Sequence, residues 1–420
     1  MNSYKFKKNS LFIENVPIKK LINKFSTPFY CYSANKIIEN YKNFEKHFKY
    51  LEPIICYAVK ANPNIAILKI LAKFGAGAEV VSEGELKRSL KANINPKKII
   101  FSGVGKTYKE LEFAIKKNIL QINVESLEEI NLIEKISKKL KKIVQIGIRI
   151  NPNIDAKTHK KITTGREENK FGIDIKNAEK IIKKYKNNNN IKLFGLSIHI
   201  GSQITSLMPY RKAFLIVKNL IKKINKKEKI IKYLDLGGGI GINYNNEKII
   251  NFKDYSKIIT KIIKDIDCKL ILEPGRIIVA DTGILVSKVL YIKENKKNTF
   301  VIIDAGMNDF MRPALYNAKH NVQCINKKNG PKKLYTIVGP ICETADTFNK
   351  KKLNKINNND FLFINNVGAY GSSMSSSYNS RPIIMELIVN NNNFSIIRKK
   401  DIVESQISKE KIPSWINKIK

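Results

Sequence analysis

Between residues 37 and 273, short apolar runs alternate with segments of helical period, and this alternation limits the possible folds more than any other property of the chain. Ile37, Ile38, Tyr41, Phe44 and Phe48 fall close to the spacing of one helix face. A strand over Ile54 to Val59 follows. Then come helix 64–73, strand 78–81, helix 83–92, strand 98–101, helix 107–117, strand 119–123, helix 126–140 and strand 143–150. After an irregular stretch (151–173), the pattern resumes with helix 176–186, strand 192–199, helix 208–226, strand 231–235, helix 254–266 and strand 269–273. Runs such as Ile143-Val144-Gln145-Ile146-Gly147-Ile148-Arg149-Ile150 suit parallel strands covered on both faces. Strand ends near 59, 81, 101, 123, 150, 199, 235 and 273 make eight, the closure number of a β/α barrel. The expected fold class is α/β, a (β/α)8 TIM-like barrel over 35–280. Past 280 helices thin out, and 283–292, 299–304, 334–338, 361–366, 383–389 and 394–398 read as strands. A mostly β second domain is expected from 281–420, joined by the short apolar pieces of 1–34.

The formal net charge is +41, which in a compact basic domain would point to nucleic acid. Here the lysines are spread among Asn and Ile along the whole chain, as in Asn187 to Asn190 and Asn390 to Asn393, so they read as compositional bias and no specific nucleic-acid partner is expected. Cys31, Cys56, Cys268, Cys324 and Cys342 are odd in number and form no C-x-x-C pair, which argues for a reducing compartment. No apolar signal core follows the basic start, and no run of about 18 apolar residues occurs. A soluble, cytoplasmic protein without membrane association is expected.

A barrel of this kind works at the C-terminal ends of its strands. The polar residues there are Lys60, Glu79, Ser82, Glu83, Ser102 to Lys106, Glu125, Ser126, Arg149, Asn151, His199 to Gln203, Asp235 to Gly239 and Glu273 to Arg276. Lys60 ends the apolar run Cys56-Tyr57-Ala58-Val59, and Asn62-Pro63-Asn64 breaks it. Burial there should lower its pKa, leaving a neutral amine able to form a Schiff base. In a chain with 77 Lys+Arg, a solvated lysine is the commoner alternative. Gly237-Gly238-Gly239 either admits an anion such as phosphate to backbone N–H groups or makes a tight turn. Its spacing is not that of a dinucleotide fingerprint. His199, a lone histidine beside apolar residues, is by residue type more often a satisfied core residue, and no second histidine stands at metal-ligand spacing, so no metal is expected. Glu273 can hold a heteroaromatic nitrogen protonated, or pair with Arg276. Cys342 beside Glu343, Tyr370 between glycines, and Arg312 four residues before Tyr316 add a thiol, a phenol and a carboxylate clamp. A Schiff-base lysine, a phosphate cradle and a carboxylate for a pyridine nitrogen together imply pyridoxal 5'-phosphate.

The ordered set Tyr57-Ala58-Val59-Lys60-Ala61-Asn62, His199-Ile200-Gly201-Ser202-Gln203, Gly237-Gly238-Gly239, Glu273-Pro274-Gly275-Arg276, Met311 to Tyr316, Cys342 to Asp346 and Gly368-Ala369-Tyr370 resembles the diaminopimelate decarboxylase family. That family lies in the alanine-racemase-like, fold-type III class of pyridoxal-phosphate enzymes, and the resemblance runs over nearly the whole chain. It implies that Lys60 holds the cofactor and His199 stacks on its ring. Ser202, Gly237, Gly238, Gly239, Pro274, Gly275, Arg276 and Tyr370 would serve its phosphate, and Glu273 its ring nitrogen. Arg276, Arg312, Tyr316 and Tyr370 would meet the substrate, with Glu343 on its distal ammonium. Cys342 would return a proton once carbon dioxide has left. The Cys342–Glu343 loop would come from a second subunit, implying a homodimer with shared sites. Thr344 stands where the family usually has Ser, keeping the hydroxyl. Related decarboxylases act on ornithine, arginine or carboxynorspermidine. The Arg312 clamp with Glu343 favours meso-2,6-diaminopimelate, giving L-lysine in the last step of lysine biosynthesis, because a buried charge on the distal amino acid centre needs a partner.

Overall fold

Eight parallel strands close into a barrel in the computed structural model, which describes residues 3–156, 158–226, 228–244 and 247–419. Met1, Asn2 and Lys420, at the ends of the expected second domain, lie outside the described residues. In chain order the strands are Ile54–Ala58, Gly77–Val80, Ile99–Phe101, Gln121–Val124, Val144–Arg149, Ile191–Ser197, Tyr233–Asp235 and Lys269–Leu272. The last pairs with the first, Ile271 opposite Ile54 and Leu272 opposite Ile55, and so shuts the ring. The count of eight agrees with the strand ends read from the sequence.

The helices between the strands begin where the chain supplies a cap. Asn64, Ser82, Ser126 and Asp174 accept from backbone N–H groups at the starts of Ile65–Lys73, Glu83–Lys91, Leu127–Leu140 and Ile175–Tyr185. Thr107 and Glu110 form a reciprocal capping box at Tyr108–Lys116. The caps at Asn64, Ser82, Thr107 and Ser126 follow loops of a few residues, which keeps those strand-end residues on short tethers.

The barrel interior is not wholly apolar. Gln121 donates to Asn123 Oδ1 at 2.7 Å, and Asn123 donates to Asp235 Oδ2 at 3.0 Å. Room for Gln121 is made by Gly195, where a Cβ would stand 2.5 Å from Gln121 Oε1. Gln121 Oε1 is left buried without a partner among the described residues, while the rest of this row is hydrogen-bonded and runs toward the strand ends.

Contacts divide the chain into two units, one of Ala34–Thr282 with Gly368–Tyr370, the other of the remaining segments. The second unit holds a three-stranded sheet, Tyr4–Lys7, Ser10–Ile13 and Val16–Pro17. Its nine-stranded sheet runs Thr347–Asn354, Lys332–Val338, Thr299–Ile303, Gly283–Glu294, Phe29–Ser33, Met385–Asn390, Asn393–Arg398, with Phe361–Ile364 and Val322–Cys324 branching from Gly283–Glu294. All five residues of Phe29–Ser33 are buried. Tyr32 donates to Glu386 Oε2 at 2.6 Å, so the one acid buried there has a partner.

Several elements depart from the sequence reading. Helix Ile18–Lys24 forms among N-terminal pieces expected to join a mostly β domain, and short helices also form at Arg276–Val279, Arg312–Tyr316 and Val403–Ile407. Strands Thr347–Asn354 and Val322–Cys324 were not anticipated. In Thr347–Asn354 the run Lys350-Lys351-Lys352 interrupts any apolar alternation, and the two buried residues, Phe348 and Leu353, are five apart and so fall on opposite faces. An edge strand can carry lysines toward water, and they protect it from pairing with other chains.

Candidate active site

Lys60 stands on the 3-10 turn Val59–Ala61 directly after the first barrel strand. The turn is held from both sides: Tyr57 Oη donates to Asn62 O at 3.2 Å, and Asn62 Nδ2 donates to Gly368 O at 3.1 Å. Lys60 Nζ donates to Glu79 Oε2 at 2.7 Å. Glu79 ends the second strand and is 1% exposed. The expectation of a lowered Lys60 pKa is therefore corrected. Burial does push the ammonium down, but Glu79, Tyr370 and Glu273 outweigh it and hold its pKa above the ordinary lysine value. The amine is stored as a cation, ready to give up a proton only when a new positive charge arrives beside it.

Beside Lys60 in the same mouth, Glu273 follows the eighth strand, Lys269–Leu272, which pairs with the first. Its carboxyl is pushed well above the usual range by burial, then by the neighbouring charges of Asp235 and Glu79. Its Oε1 is buried with no hydrogen-bond partner among the described residues. Asp235 itself is occupied, accepting from Gly237 N at 2.9 Å and from Asn123. His199 Nδ1 accepts from Gly238 N at 3.3 Å. Burial, with the positive charges of Lys60 and Arg149, keeps the ring well below its usual pKa, hence neutral with its proton on Nε2.

The triple glycine is required sterically. A Cβ on Gly238 would overlap the carbonyl oxygen of Glu273, and Gly239, at φ +91°, has the carbonyl of Gly201 where a Cβ would be. Gly275 leaves only Ala58 and Ala61 within reach of a Cβ. Behind these loops Arg276, 5% exposed, donates to Ser202 Oγ at 2.9 Å and Tyr244 Oη at 2.7 Å, and its guanidinium lies 4.7 Å from the Tyr370 ring centre. Tyr370 N donates to Ala61 O at 2.8 Å, which ties its loop to the Lys60 turn. Lys60, His199, Ser202, Gly237–Gly239, Glu273–Arg276 and Tyr370 thus belong to one mouth.

Arg312, Tyr316, Cys342 and Glu343 belong to the other unit. Arg312 and Tyr316 share the short helix Arg312–Tyr316, with the guanidinium 5.8 Å from the Tyr316 ring centre. Arg312 Nε donates to His320 Nε2 at 3.2 Å, and His320 Nδ1 then donates to Asn365 O at 3.0 Å, which aims a buried guanidinium. Cys342 and Glu343 are exposed, and Tyr378 Oη donates to Glu343 Oε1. Asp346, the second acid of the loop, is structural: it accepts from Ile341 N and Met307 N, both at 2.7 Å.

Glu79, Asp235, Tyr244, His320 and Tyr378 received no individual role from the sequence. Glu79 and Asp235 were legible only as polar strand ends; the others carry no local signal.

The mouth fits a phosphorylated pyridine aldehyde. A buried carboxyl oxygen without a partner among the described residues is open to an N–H, the acids Glu79, Asp235 and Glu273 share the one ammonium of Lys60, and glycines open a backbone cradle. Residues 34–280 match the family model described as "Pyridoxal-dependent decarboxylase, pyridoxal binding domain". The diaminopimelate decarboxylase of Helicobacter pylori is 45% identical over 388 residues, covering 92% of this chain and 96% of that protein. That of Aquifex aeolicus is 42% identical over 398 residues, 94% of each. Among solved structures, diaminopimelate decarboxylase from Helicobacter pylori complexed with L-lysine superposes with TM-score 0.90 at 43% identity, over 93% of this chain and 99% of that one. The M. jannaschii enzyme in co-complex with L-lysine gives TM-score 0.91 at 38% identity, over 98% of each chain. The chain belongs to the pyridoxal-dependent decarboxylases and, among them, to the diaminopimelate decarboxylase family.

Proposed function

We propose that the chain decarboxylates meso-2,6-diaminopimelate to L-lysine and carbon dioxide with pyridoxal phosphate. The observation that carries this reading is the joint presence, in one barrel mouth, of the Lys60–Glu79 pair and the unpartnered Oε1 of Glu273. The relatives, 40–45% identical and named for this substrate, support it.

When bound, the cofactor supplies an electron sink for the bond to the departing carboxylate. The protein's own groups do the rest. Lys60 holds the cofactor through its amine, and Glu79 takes up and returns the lysine's proton across 2.7 Å. Glu273 gives its charge to the ring nitrogen. His199, held neutral, would lie against the cofactor's ring without bringing a competing cation. The Gly237–Gly239 turn, Ser202, the Glu273–Arg276 turn and Tyr370 serve the phosphate. Arg312, steadied by His320, and Tyr316 clamp the distal carboxylate with Arg276 and Tyr370, and Glu343 meets the distal ammonium. Cys342 donates the closing proton. In this reading the Cys342–Glu343 loop serves the site of a second copy, so the working species is a cytoplasmic homodimer. All five cysteines are free, consistent with a reducing compartment.

Release of carbon dioxide from purified protein with added cofactor tests this. Among meso-diaminopimelate, L-ornithine, L-arginine and carboxynorspermidine, kcat/KM is expected to be highest for the first. Preference for another overturns the substrate; no release from any overturns the reaction.

A further inference from the structure

The chain ends on an apolar segment that its own unit leaves uncovered. Ile402, Ile407, Ile412, Trp415 and Ile419 are 60% to 80% exposed, and Ile416 is 40% exposed. Ile412, Trp415, Ile416 and Ile419 stand at i, i+3, i+4 and i+7, the spacing of one helix face. Pro413 follows Ile412 at a place where a helix can start, yet here the segment makes only one 3-10 turn, Ile416–Lys418. The six side chains expose on the order of 700 Å², against ~800 Å² that one partner gives to a standard interface.

Two observations choose the occupant. Residues 401–420 hold four lysines against three acids, in a chain whose net charge is +41. A lipid surface or a polyanion would be met by the basic parts of the chain, not by this nearly balanced one. The segment also leaves the fold beside the loop assigned to the second copy. Asp401 N donates to Ile383 O at 2.9 Å, Arg381 N to Tyr378 O at 3.3 Å, and Tyr378 Oη to Glu343. Cys342, Glu343, Tyr378 and Asp401 are exposed, with half-buried Arg381 and Ile383 between Tyr378 and the start of the tail.

We propose that residues 402–419 form an arm whose last turns, from Pro413 on, pack as a helix onto a second copy of this chain, at the border of the interface through which the Cys342–Glu343 loop serves that copy. The arm rests on the shared-site dimer reading above.

Trp415 is the only tryptophan, so intrinsic emission of the full-length holoenzyme reports this segment alone. Emission maximum and iodide quenching are to be followed on dilution, in parallel with sedimentation velocity. The expected result is a dimer with blue-shifted, poorly quenched emission that turns red and quenchable as the dimer dissociates. The double variant I412D/I416D should raise the dimer dissociation constant at least tenfold and free Trp415; both positions are exposed in the single chain, so its fold is not at stake. A dimer with Trp415 freely quenched at every concentration overturns the arm and leaves the shared site standing. A monomer at every concentration overturns both, whatever the emission. A blue shift seen only with added vesicles of phosphatidylglycerol overturns the arm in favour of a lipid surface.

Discussion

Replacing Glu273 by Gln separates two opposite effects of one carboxylate. Glu273 is 7% exposed, and burial, then Asp235 and Glu79, raise its pKa above the ordinary value of 4.5. In the cofactor-free protein, the folded state therefore keeps a proton that the unfolded chain has released. The resulting stability is complete below the unfolded-state pKa and is lost as pH rises toward the folded-state one. Glutamine removes both the titration and the repulsion. Without cofactor, Glu273→Gln should gain about 1 kcal/mol at pH 8, of the order typical for relieved strain at a functional site. For a domain of this size that is roughly 2–4 °C in Tm. At pH 4.5 the two proteins should melt nearly together. With cofactor the sign reverses. A neutral amide in place of an ionised acceptor loses about 1.4 kcal/mol or more of hydrogen-bond strength, at least about tenfold in kcat. The assay is calorimetric melting of the cofactor-free proteins from pH 4.5 to 8.5, beside holoenzyme kinetics. A variant no more stable than its parent at pH 8, or one with full kcat, would refute the assignment of Glu273 as a destabilised buried acid that the bound cofactor relieves.

Lys60→Ala should abolish turnover and the visible absorbance of the lysine-held cofactor; a yellow, active variant sinks that role. Cys342→Ala should keep the cofactor while kcat falls on the order of 10²–10³-fold, the usual share of a positioned proton donor, and an unchanged rate would send the proton elsewhere. In Gly238→Ala the new Cβ meets the Glu273 carbonyl oxygen, and the shift should cost about 1–3 kcal/mol and weaken cofactor binding; undiminished Tm and affinity would mean that the loop yields freely. Glu85 is pushed up to about 7 by burial, then by Glu79. Its folded pKa lies above the unfolded one, so its contribution is complete below about 4.5 and lost as pH rises through 7. Glu85→Gln should flatten that part of the stability profile, and an unaltered slope in acid–base melting series would contradict it.

The barrel was legible because its signals are local. Ile99–Phe101 is wholly buried, as a parallel strand covered on both faces must be, and Ser82, Thr107 and Ser126 announce helix starts by residue type alone. The candidate residues were legible for a related reason: in a β/α barrel the strand ends are the site, so finding the strands finds Lys60, His199 and Glu273. Thr347–Asn354 escaped because an edge strand can do without a continuous apolar face, and its lysines leave only Phe348 and Leu353 buried, one on each face. The helix Ile18–Lys24 escaped because seven residues give too little period to separate helix from strand.

By itself the sequence determined the order of elements, the caps and the chemical types arrayed around the mouth. Hydrophobic burial and capping depend on neighbours a few residues away, which a linear chain displays. Only the tertiary structure decided which charge meets which. Lys60 meets Glu79, 19 residues on, and stays a cation where burial alone argued for a neutral amine. Asn123 reaches Asp235 across 112 residues and leaves Glu273 Oε1 unpaired, while His320 turns to steady Arg312. Electrostatic and hydrogen-bond energies depend on distances of a few ångströms between groups remote in sequence, and those distances exist only after the barrel has closed.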